Sequence, residues 1–430
     1  MPHTALLDEL AWRGLLFQHT EGAAAALAAG PVSGYIGFDP TATSLHVGNL
    51  VVVMGLVHLQ RAGHRPIALV GGGTGMIGDP SGKRGERTLN SLEVVEENAR
   101  SLHKQLERFL DFSGERGARM LNNAEWLMQL SAIGFLRDVG KHFSVNYMTA
   151  KDSVKSRLED GISYTEFSYM LLQAYDFLEL FRREGVTLQM GGADQWGNIT
   201  AGVELIRRSA GGEAHGVTMP LMTNADGQKF GKTEGGSVWL DPSLTSPYGF
   251  FQFWINADDR DVGRHLRTFT LLEREEIEAL DRAVLERPEK REAQQALAGD
   301  VTARVHGRDA AALAAQVSRI LFDRKADPRE LGEDALTMLS GEIPSEHFTE
   351  DMWPDADPGS HNLLVDVAMV RTSLAKSKGD ARRLRQQGGV TINGRRIGAD
   401  ENEVSREEAL AGGYFLIRKG AREMALVKVD

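Results

Sequence analysis

Short apolar runs alternate with amphipathic stretches over the first half of the chain. The runs that have the length and the β-branched or aromatic content of buried strands are 35–38, 67–70 and 185–188. The stretches that repeat apolar residues every three or four positions, as helices do, are 4–19, 22–29, 50–62, 91–111 and 164–177. Strands that alternate with helices favour a parallel sheet, so the predicted fold class is α/β, with a Rossmann-like parallel-sheet domain first.

The pattern becomes helical after Pro247. Helices are predicted over 271–285, 293–306 and 310–322. Residues 345–359 contain five acidic residues, two prolines and no lysine or arginine, a composition typical of a linker. The predicted domains are therefore a catalytic domain over 1–244, an all-helical domain over 245–340, a linker over 341–360 and a small α+β domain over 361–430.

The charge reverses beyond this linker. Between 371 and 396 the chain carries eight basic residues and one acidic residue, a local charge of 8 − 1 = +7. A helix over 381–387 and a hairpin with an Asn393-Gly394 corner are predicted there. A basic helix beside a small β unit is typical of an RNA-backbone-binding module. The candidate RNA-binding residues are Arg371, Lys376, Lys378, Arg382, Arg383, Arg385, Arg395 and Arg396.

Composition limits the remaining function classes. The chain has 430 residues and no cysteine, which excludes disulfides, thiolate catalysis and cysteine-ligated zinc. A net charge of −11 argues against a sequence-blind nucleic-acid coat, although it leaves room for basic patches. No apolar run approaches the ~18 residues that a membrane span needs. Asp8 and Glu9 do not fit a secretory signal, so we expect a cytoplasmic protein without a membrane partner.

The stretch 35–50 combines a strand, an Asp39-Pro40 turn and a helix. This arrangement directs the N-terminal amides of a helix towards a phosphate. Thr41 and His46 lie where they can donate to phosphoryl oxygens, and Gly48 follows where a purine ring can lie against the backbone. A lone histidine after a strand is more often a helix cap, so this stretch does not decide the function alone.

A glycine-rich segment over 71–83 offers a different interpretation. Gly73-x-Gly75-x-x-Gly78 follows a predicted strand, as the dinucleotide fingerprint requires. Pro80 and Gly82 interrupt the helix that should begin there, which makes an NAD-dependent enzyme the weaker hypothesis.

Three further segments have polar residues at regular spacing or in glycine-containing turns. Tyr169, Gln173 and Asp176 share one helix face inside an apolar surround, which suits a pocket better than a solvated face. Residues 188–199 turn through two glycines into a helix near Asp194, which is either an N-cap or a ligand-binding residue. Lysines in the loop 226–233 either remain solvated or bind departing phosphates.

These segments together resemble one family. His46-Val47-Gly48-Asn49 is similar to the His-Ile-Gly-His signature of class I aminoacyl-tRNA synthetases, and 35–50 resembles its tyrosyl branch. The loop 226–233 resembles the second class I signature, Lys-Met-Ser-Lys-Ser. The segment beyond 361 is similar to the RNA-binding module that ribosomal proteins share with bacterial tyrosyl-tRNA synthetases. The resemblance covers nearly the whole chain, from about Leu6 to Val429.

The resemblance implies that the chain joins L-tyrosine to ATP, releases pyrophosphate, and transfers the tyrosyl group to tRNA(Tyr). ATP would arrive with Mg²⁺ as a co-substrate, with no tightly bound cofactor and no protein metal site. The residues implied for tyrosine are Tyr35, Asp79, Tyr169, Gln173, Asp176 and Gln195. Those implied for ATP are Gly37, Asp39, His46, Gly48, Asn49, Gly192, Asp194 and Lys232. Those implied for the charge of the reacting phosphates are Thr41, His46, Lys83, Arg87, Lys229, Lys232 and Thr233.

Within this assignment Asp79, Tyr169 and Gln173 bind the ammonium group, and Asp176 meets the phenol. The chain departs from the family pattern at Asn49, where many members have a second histidine, and at Ile36 and Thr233. A homodimer is carried over from the family, with residues 125–165 as the predicted interface. The remaining hypothesis is an RNA-binding relative without catalytic activity, although no signature residue is lost in a way that supports it.

Overall fold

A computed structural model describes residues 5–81, 90–155, 161–228, 230–233, 236–323, 326–349, 362–420 and 423–429. They group into two compact units. The first contains residues 1–245 and 253–305, and the second contains 246–252 and 306–430. The division into four segments made from the sequence stays a prediction.

The first unit is built on a six-stranded sheet. In spatial order its strands are Gln18–His19, His215–Met219, Val186–Gly192, Ser33–Phe38, Arg65–Val70 and Arg119–Asn122. The five longer strands are parallel, and only the two-residue edge strand Gln18–His19 runs antiparallel. This confirms the predicted α/β class with a parallel sheet.

The helices of the first unit follow the predicted order with some changed ends. In the first half they are Ala5–Trp12, Ala23–Ala29, Leu50–Arg61, Leu92–Leu106, Ala124–Leu127, Ala132–Asp138, Val145–Thr149, Asp152–Lys155, Tyr164–Glu184 and Trp196–Ala210. Later come Pro247–Ile255, Asp259–Phe269, Arg274–Glu286 and Glu292–His306, of which the first and last cross the boundaries between the units. The predicted helix over 4–19 is wrong beyond Trp12, because Gly14 adopts a φ of 69° and Gln18 begins the edge strand.

The longest helix, Tyr164–Glu184, carries the polar face that the sequence analysis identified. It begins where the Ser163 hydroxyl accepts a hydrogen bond from the Glu166 N–H. It ends at Gly185, whose φ of 64° is the left-handed conformation that glycine adopts without strain. Both ends are therefore encoded locally, and the buried face of the helix packs beside Trp196–Ala210.

A crevice forms where two neighbouring strands stop pairing. Ser33–Phe38 pairs with Val186–Gly192 only as far as Tyr35 and Gln189. Each strand continues for three residues beyond that point, paired with its other neighbour. The two strands therefore separate at their carboxyl ends, at the position where the chain order of the sheet reverses. Open α/β sheets bind ligands at this switch point.

The second unit combines helices with a five-stranded sheet. Its helices include Arg308–Phe322, Glu333–Ser340, Val365–Arg371 and Lys378–Gln386. The strands, in spatial order, are Arg395–Arg396, Val390–Ile392, Tyr414–Lys419, Glu423–Val429 and Ser345–Phe348. A two-stranded ladder joins Leu363–Leu364 to Glu403–Val404. The hairpin turns at Asn393 and Gly394, both with positive φ, as the Asn-Gly corner predicts.

The last strand of this sheet differs from the sequence-based interpretation. Ser345–Phe348 lies inside the stretch that composition assigned to a linker, yet it pairs in parallel with Glu423–Val429. The aromatic ring of Phe348 is buried in the core of this unit, which is what holds the strand. Within the ranges that the structure describes, no helix combines the length and apolar character needed to cross a bilayer.

Candidate functional site

The floor of the crevice holds a buried phenol without a partner. Tyr35 lies at the last position where its strand pairs with Val186–Gly192, and it is 1% exposed. Its ring packs edge-on against Phe177, with centroids 5.3 Å apart. Among the described residues, the Tyr35 hydroxyl has no hydrogen-bond partner. Burial and the nearby charge of Asp176 raise the pKa of this phenol well above its usual value. A buried hydroxyl without a partner is costly, so it marks a position where a ligand atom belongs.

Asp176 is the buried carboxyl of this pocket. Its Oδ2 accepts a hydrogen bond from Asn123 Nδ2 at 2.8 Å, and its Oδ1 accepts one from Trp126 Nε1 at 2.7 Å. Burial raises the pKa of Asp176 to about 8, although these two hydrogen bonds act in the opposite direction. The two donors fix the orientation of a carboxyl group that faces the same space as Tyr35.

Asn123 and Trp126 were missed by the sequence analysis. They follow the strand Arg119–Asn122, which is too short for alternation to reveal. The available signal was the Asn-Asn pair at the carboxyl end of this strand, where parallel sheets carry polar ligand-binding residues. Asn123 also accepts a hydrogen bond from the Gly73 N–H at 2.7 Å, so it ties Asp176 to the glycine-rich turn.

The glycine-rich turn is shaped by close packing. A Cβ atom at Gly71 would collide with the Asp39 carboxylate, and one at Gly72 would collide with the Asn122 amide. Thr74 follows and donates to Asp39 Oδ1 at 2.7 Å. These contacts explain two of the glycines that the dinucleotide fingerprint leaves out, and they connect the turn to the crevice.

Tyr169 and Asp39 are joined by a direct hydrogen bond in the pocket. The Tyr169 hydroxyl donates to Asp39 Oδ2 at 2.7 Å. Burial raises the pKa of the Tyr169 phenol well above its usual value, and the charges of Asp39, Asp79 and Asp176 add to this effect. Three carboxyl groups therefore act on one phenol, which makes this end of the crevice electronegative.

A chain of side-chain hydrogen bonds joins the other residues predicted for the amino group. Gln195 Nε2 donates to Asp79 Oδ2 at 2.6 Å. Asn198 Nδ2 donates to Gln195 Oε1 at 3.2 Å and to Gln173 Oε1 at 3.0 Å. The structure therefore brings Asp79, Gln173 and Gln195 together through Asn198, a buried residue that the sequence analysis did not select.

The His46 turn is a capped 3₁₀ helix. His46 Nδ1 accepts from the Gly48 N–H at 3.1 Å, and the His46 N–H donates to Asn49 Oδ1 at 3.0 Å. A neutral imidazole that accepts at Nδ1 carries its proton on Nε2. The turn therefore fixes His46 as a donor at Nε2, and it gives Asn49 a local reason to be an amide.

The loop of the second signature packs on this turn. Gly231, with a φ of 81°, approaches Val47 so closely that a Cβ would lie 2.6 Å from its side chain. The Val47 N–H donates to the Val238 carbonyl at 2.9 Å. Lys232–Thr233 pairs with Gly236–Ser237 as a small hairpin beyond Gly231. Two motifs far apart in the chain are therefore neighbours in the structure.

An aromatic cluster anchors the loop. Phe230 is buried between Trp254, His265 and Phe269, with ring centroids 4.9 to 5.7 Å away. This fixes the start of the loop next to the His46 turn. The predicted residues Lys83, Arg87 and Lys229 lie outside the described residues.

The other residues predicted for ATP lie along the crevice. Gly37 is exposed on its strand, and no atom lies within 4 Å of the position that a Cβ would occupy. Thr41 is exposed in the turn after Asp39. Gly192 ends the opposite strand, and Asp194 lies in the 3₁₀ turn Ala193–Gln195 that follows it. The residues predicted for ATP therefore lie on both walls of the opening.

The basic segment of the second unit is only partly exposed. The exposed side chains are those of Arg371, Lys376, Lys378, Arg382, Arg383, Arg395 and Arg396. Arg395 contacts both Glu401 and Glu408, and Arg383 contacts Asp380. Arg385 is different: it is 3% exposed and forms a buried ion pair with Asp366 at 3.2 Å. The prediction that Arg385 contacts RNA is corrected, because its charge is already used inside the fold.

Across the described ranges, no three acidic or histidine side chains converge as a set that would hold a metal ion.

Comparison with known proteins places two family matches on the chain. The family tRNA synthetases class I (W and Y) matches residues 28–323. The tyrosine–tRNA ligase SYY-like C-terminal domain matches residues 347–427. The first match contains every candidate residue of the crevice, and the second contains the basic segment.

Individual relatives agree over almost the whole length. A tyrosine–tRNA ligase of Anaeromyxobacter dehalogenans is 55% identical over 424 residues, covering 99% of this chain and 99% of the relative. One of Bacillus caldotenax is 51% identical over 427 residues, covering 98% and 99%. Among solved structures, a C-terminally truncated mitochondrial tyrosyl-tRNA synthetase of Aspergillus nidulans has a TM-score of 0.66 at 31% identity. It covers 74% of this chain and 94% of its own.

Proposed function

The chain belongs to the class I tRNA synthetases, in the branch of the tyrosine–tRNA ligases, and from this membership we propose how its crevice performs the two-step reaction. In the first step L-tyrosine reacts with ATP to give tyrosyl-adenylate and pyrophosphate. In the second the tyrosyl group passes to the terminal ribose of tRNA(Tyr). The resemblance found in the sequence is confirmed at the level of the family, whereas the residue roles below are proposals.

One observation carries the assignment of tyrosine: the buried Tyr35 hydroxyl without a partner, beside the buried carboxyl of Asp176. The phenol of the substrate supplies what both groups need. Its hydroxyl donates to Asp176, and its oxygen accepts from Tyr35. Asn123 and Trp126 keep the carboxyl in place through their two hydrogen bonds. A phenyl ring in the same pocket would leave the Tyr35 hydroxyl unpaired and would donate nothing to Asp176.

The amino group of the substrate belongs at the electronegative end of the crevice. The charge of Asp79 lies close enough to Tyr169 to raise the pKa of its phenol, and Asp79 is oriented by Gln195. A protonated amine only donates hydrogen bonds, and acceptors that include Gln173 Oε1 are available to it there. This places the tyrosine carboxylate on the side of the crevice that faces the His46 turn.

Activation then needs positioning rather than a protein nucleophile. A carboxylate oxygen of tyrosine attacks the α-phosphorus of ATP. A bond forms between these atoms while the bond from phosphorus to the pyrophosphate oxygen breaks. His46 donates from Nε2 to the charge that develops on the phosphates, and the loop at Gly231 brings Lys232 and Thr233 beside the same turn. Mg²⁺ accompanies ATP as part of this substrate. Lys83, Arg87 and Lys229 keep their predicted roles.

Nucleotide binding uses both sides of the opening. Gly37 leaves room for the nucleotide on one strand, and Gly48 and Asn49 offer backbone and amide contacts on the turn. Gly192 and Asp194 lie at the end of the opposite strand, where a ribose would meet the Asp194 carboxylate. Asp39, which is also proposed for the nucleotide, is oriented by hydrogen bonds from Thr74 and Tyr169.

Transfer to tRNA involves the second unit. After a ribose hydroxyl of the tRNA attacks the acyl carbon, AMP leaves and the ester remains on the tRNA. The exposed basic side chains over 371–396, without Arg385, supply phosphate contacts whose strength falls as salt rises.

We also propose a homodimer in the cytoplasm. Exposed apolar side chains are concentrated in the predicted interface 125–165: Met128, Ile133, Leu136, Val145 and Tyr164. A concentration of this kind is typical of an association surface. Sedimentation equilibrium with the Ile133→Lys variant tests it, since a charge there should shift the protein towards monomers.

Exchange of labelled pyrophosphate into ATP tests the proposed activity. The exchange should depend on L-tyrosine and should be far slower with L-phenylalanine at the same concentration. A protein that binds tRNA but shows no tyrosine-dependent exchange would be an RNA-binding relative without catalysis, and the proposal would fail.

A further inference from the structure

A second cavity opens in the first unit, lined by none of the residues assigned above to tyrosine or ATP. It has a volume of about 180 Å³ and lies between the N-terminal helix, the end of Leu50–Arg61 and the start of Arg274–Glu286. Its charged and polar walls come from Arg13, His58, Arg61, Arg274, Glu9 and Glu273. Cationic groups therefore exceed acidic ones.

Arg13 is the structural member of this set. It is 3% exposed, and its Nε pairs with Glu9 at 2.6 Å. Its terminal nitrogens donate to the carbonyls of Arg267, Thr270 and Leu272 at 2.9 to 3.1 Å. The donors of Arg13 are thus occupied and its charge is balanced by Glu9, so the excess positive charge rests on Arg61 and Arg274.

These two arginines are held only loosely. Arg61 lies 3.8 Å from Glu273, and the two side chains are 45% and 74% exposed, so this pair is weak. Arg274 stacks its guanidinium over the Trp12 ring at 4.4 Å, a contact that leaves the edges of the guanidinium available for hydrogen bonds.

Two neighbouring features also lack partners. His58 lines the cavity and is 3% exposed, and among the described residues its Nε2 has no hydrogen-bond partner. Burial and the charges of Arg13, Arg61 and Arg304 lower the pKa of His58 to about 3, so its ring stays neutral near pH 7. Glu273 is the N-cap of Arg274–Glu286 but makes no side-chain capping bond. Amide donors at the start of this helix are therefore left without a side-chain cap.

We propose that this cavity binds one small oxyanion, a carboxylate or a phosphate, between Arg61 and Arg274. Guanidinium groups bind both kinds of oxyanion through paired hydrogen bonds. With about 30 Å³ for each water molecule, the cavity holds about six waters. Sites for drug-sized ligands have about 300–1,000 Å³, so a nucleotide is too large.

The proposal predicts opposite effects from two neighbouring substitutions. Arg61→Gln removes a binding group and should weaken oxyanion binding about tenfold. Glu273→Gln removes the carboxylate that competes for Arg61 and should strengthen binding about threefold or more. Loss of Glu273 removes no capping bond, so the fold is preserved. Arg182→Gln is the matched control, since Arg182 is 48% exposed, pairs with one glutamate and is not part of the cavity.

The experiment uses the full chain and these three variants. Binding of inorganic phosphate is measured by ³¹P NMR and binding of trifluoroacetate by ¹⁹F NMR, and the tighter of the two identifies the source of the oxyanion. A crystal soaked in selenate then locates the site by anomalous scattering. A selenate peak between Arg61 and Arg274, with opposite shifts in the two variants, supports the proposal. Equal affinities in all four proteins, or a peak only in the tyrosine and ATP crevice, would overturn it.

Discussion

Replacing Tyr35 by phenylalanine should affect stability and recognition in opposite directions. In the free protein the Tyr35 hydroxyl is buried without a partner among the described residues, and such a group costs about 1–3 kcal/mol. The phenyl ring keeps the edge-on contact with Phe177. The Tyr35→Phe variant should therefore be at least as stable as the parent, and by up to about that amount more stable.

The same change removes the hydrogen bond that we propose Tyr35 donates to the substrate. A net contribution of ~0.5–1.5 kcal/mol corresponds to a loss of about two- to tenfold in kcat/KM for tyrosine. The kcat/KM for phenylalanine should not fall, because the parent already leaves the Tyr35 hydroxyl unpaired when a phenyl ring is bound. Discrimination between the two amino acids should therefore fall, mainly because kcat/KM for tyrosine falls.

Scanning calorimetry of the free protein and pyrophosphate exchange with both amino acids measure the two effects. Tyr414→Phe is the control: Tyr414 is also buried, but its hydroxyl lies 3.3 Å from that of Thr337 in the second unit. Its loss should cost stability and leave discrimination unchanged. If Tyr35→Phe lowers the melting temperature and leaves discrimination intact, the hydroxyl is not waiting for a substrate atom, and the reasoning is refuted.

Three further predictions concern the turn, the buried carboxyl and the basic segment. His46→Asn, which retains an N-cap acceptor, should slow adenylate formation about as much as His46→Ala does. The Kd values of tyrosine and ATP should change less than this rate. Stopped-flow fluorescence measures the rate and the two Kd values. The pKa of Asp176 is raised from 3.8 to about 8 in the folded protein, so the folded state binds this proton more tightly than the unfolded state does. The stability that results is lost as the pH rises from 4 through 8. In the Asp176→Asn variant the melting temperature should therefore depend less on pH over this window. Arg382→Gln should weaken tRNA charging and reduce its salt dependence. Arg385→Gln should instead destabilise the second unit by about 3–5 kcal/mol, because Asp366 would be buried without its partner. Chemical denaturation and tRNA charging across a salt series distinguish the two variants.

The sequence was sufficient where local spacing determines structure. Tyr169, Gln173 and Asp176 were placed on one face because residues four and three apart align on any helix, and Ser163 and Gly185 define both helix ends locally. The strand that contains Tyr35 was visible for the same reason, since a short aromatic and β-branched run fits few other structures.

Contacts across long separations were not predictable in this way. Asn123 and Asp176 are 53 positions apart, and nothing near either residue indicates the bond between them. The ion pair of Arg385 and Asp366 was hidden by its surroundings, because a buried arginine within a run of basic residues has the same local pattern as a solvated one. The N-terminal helix was overextended because pairing at the sheet edge, a tertiary contact, overrides the apolar spacing that continues through Phe17.

The separation of two strands also explains how one crevice can orient a substrate with charges at both ends. On the side of Tyr169, the charges of Asp39 and Asp79 raise the pKa of the Tyr169 phenol, so the local field is negative. On the side proposed for the phosphates, the capped turn keeps a donor on His46 Nε2. A zwitterionic amino acid in this field points its ammonium group towards the acids and its carboxylate towards the donors. We infer that this polarity, more than any single contact, selects the orientation in which the tyrosine carboxylate meets the α-phosphate.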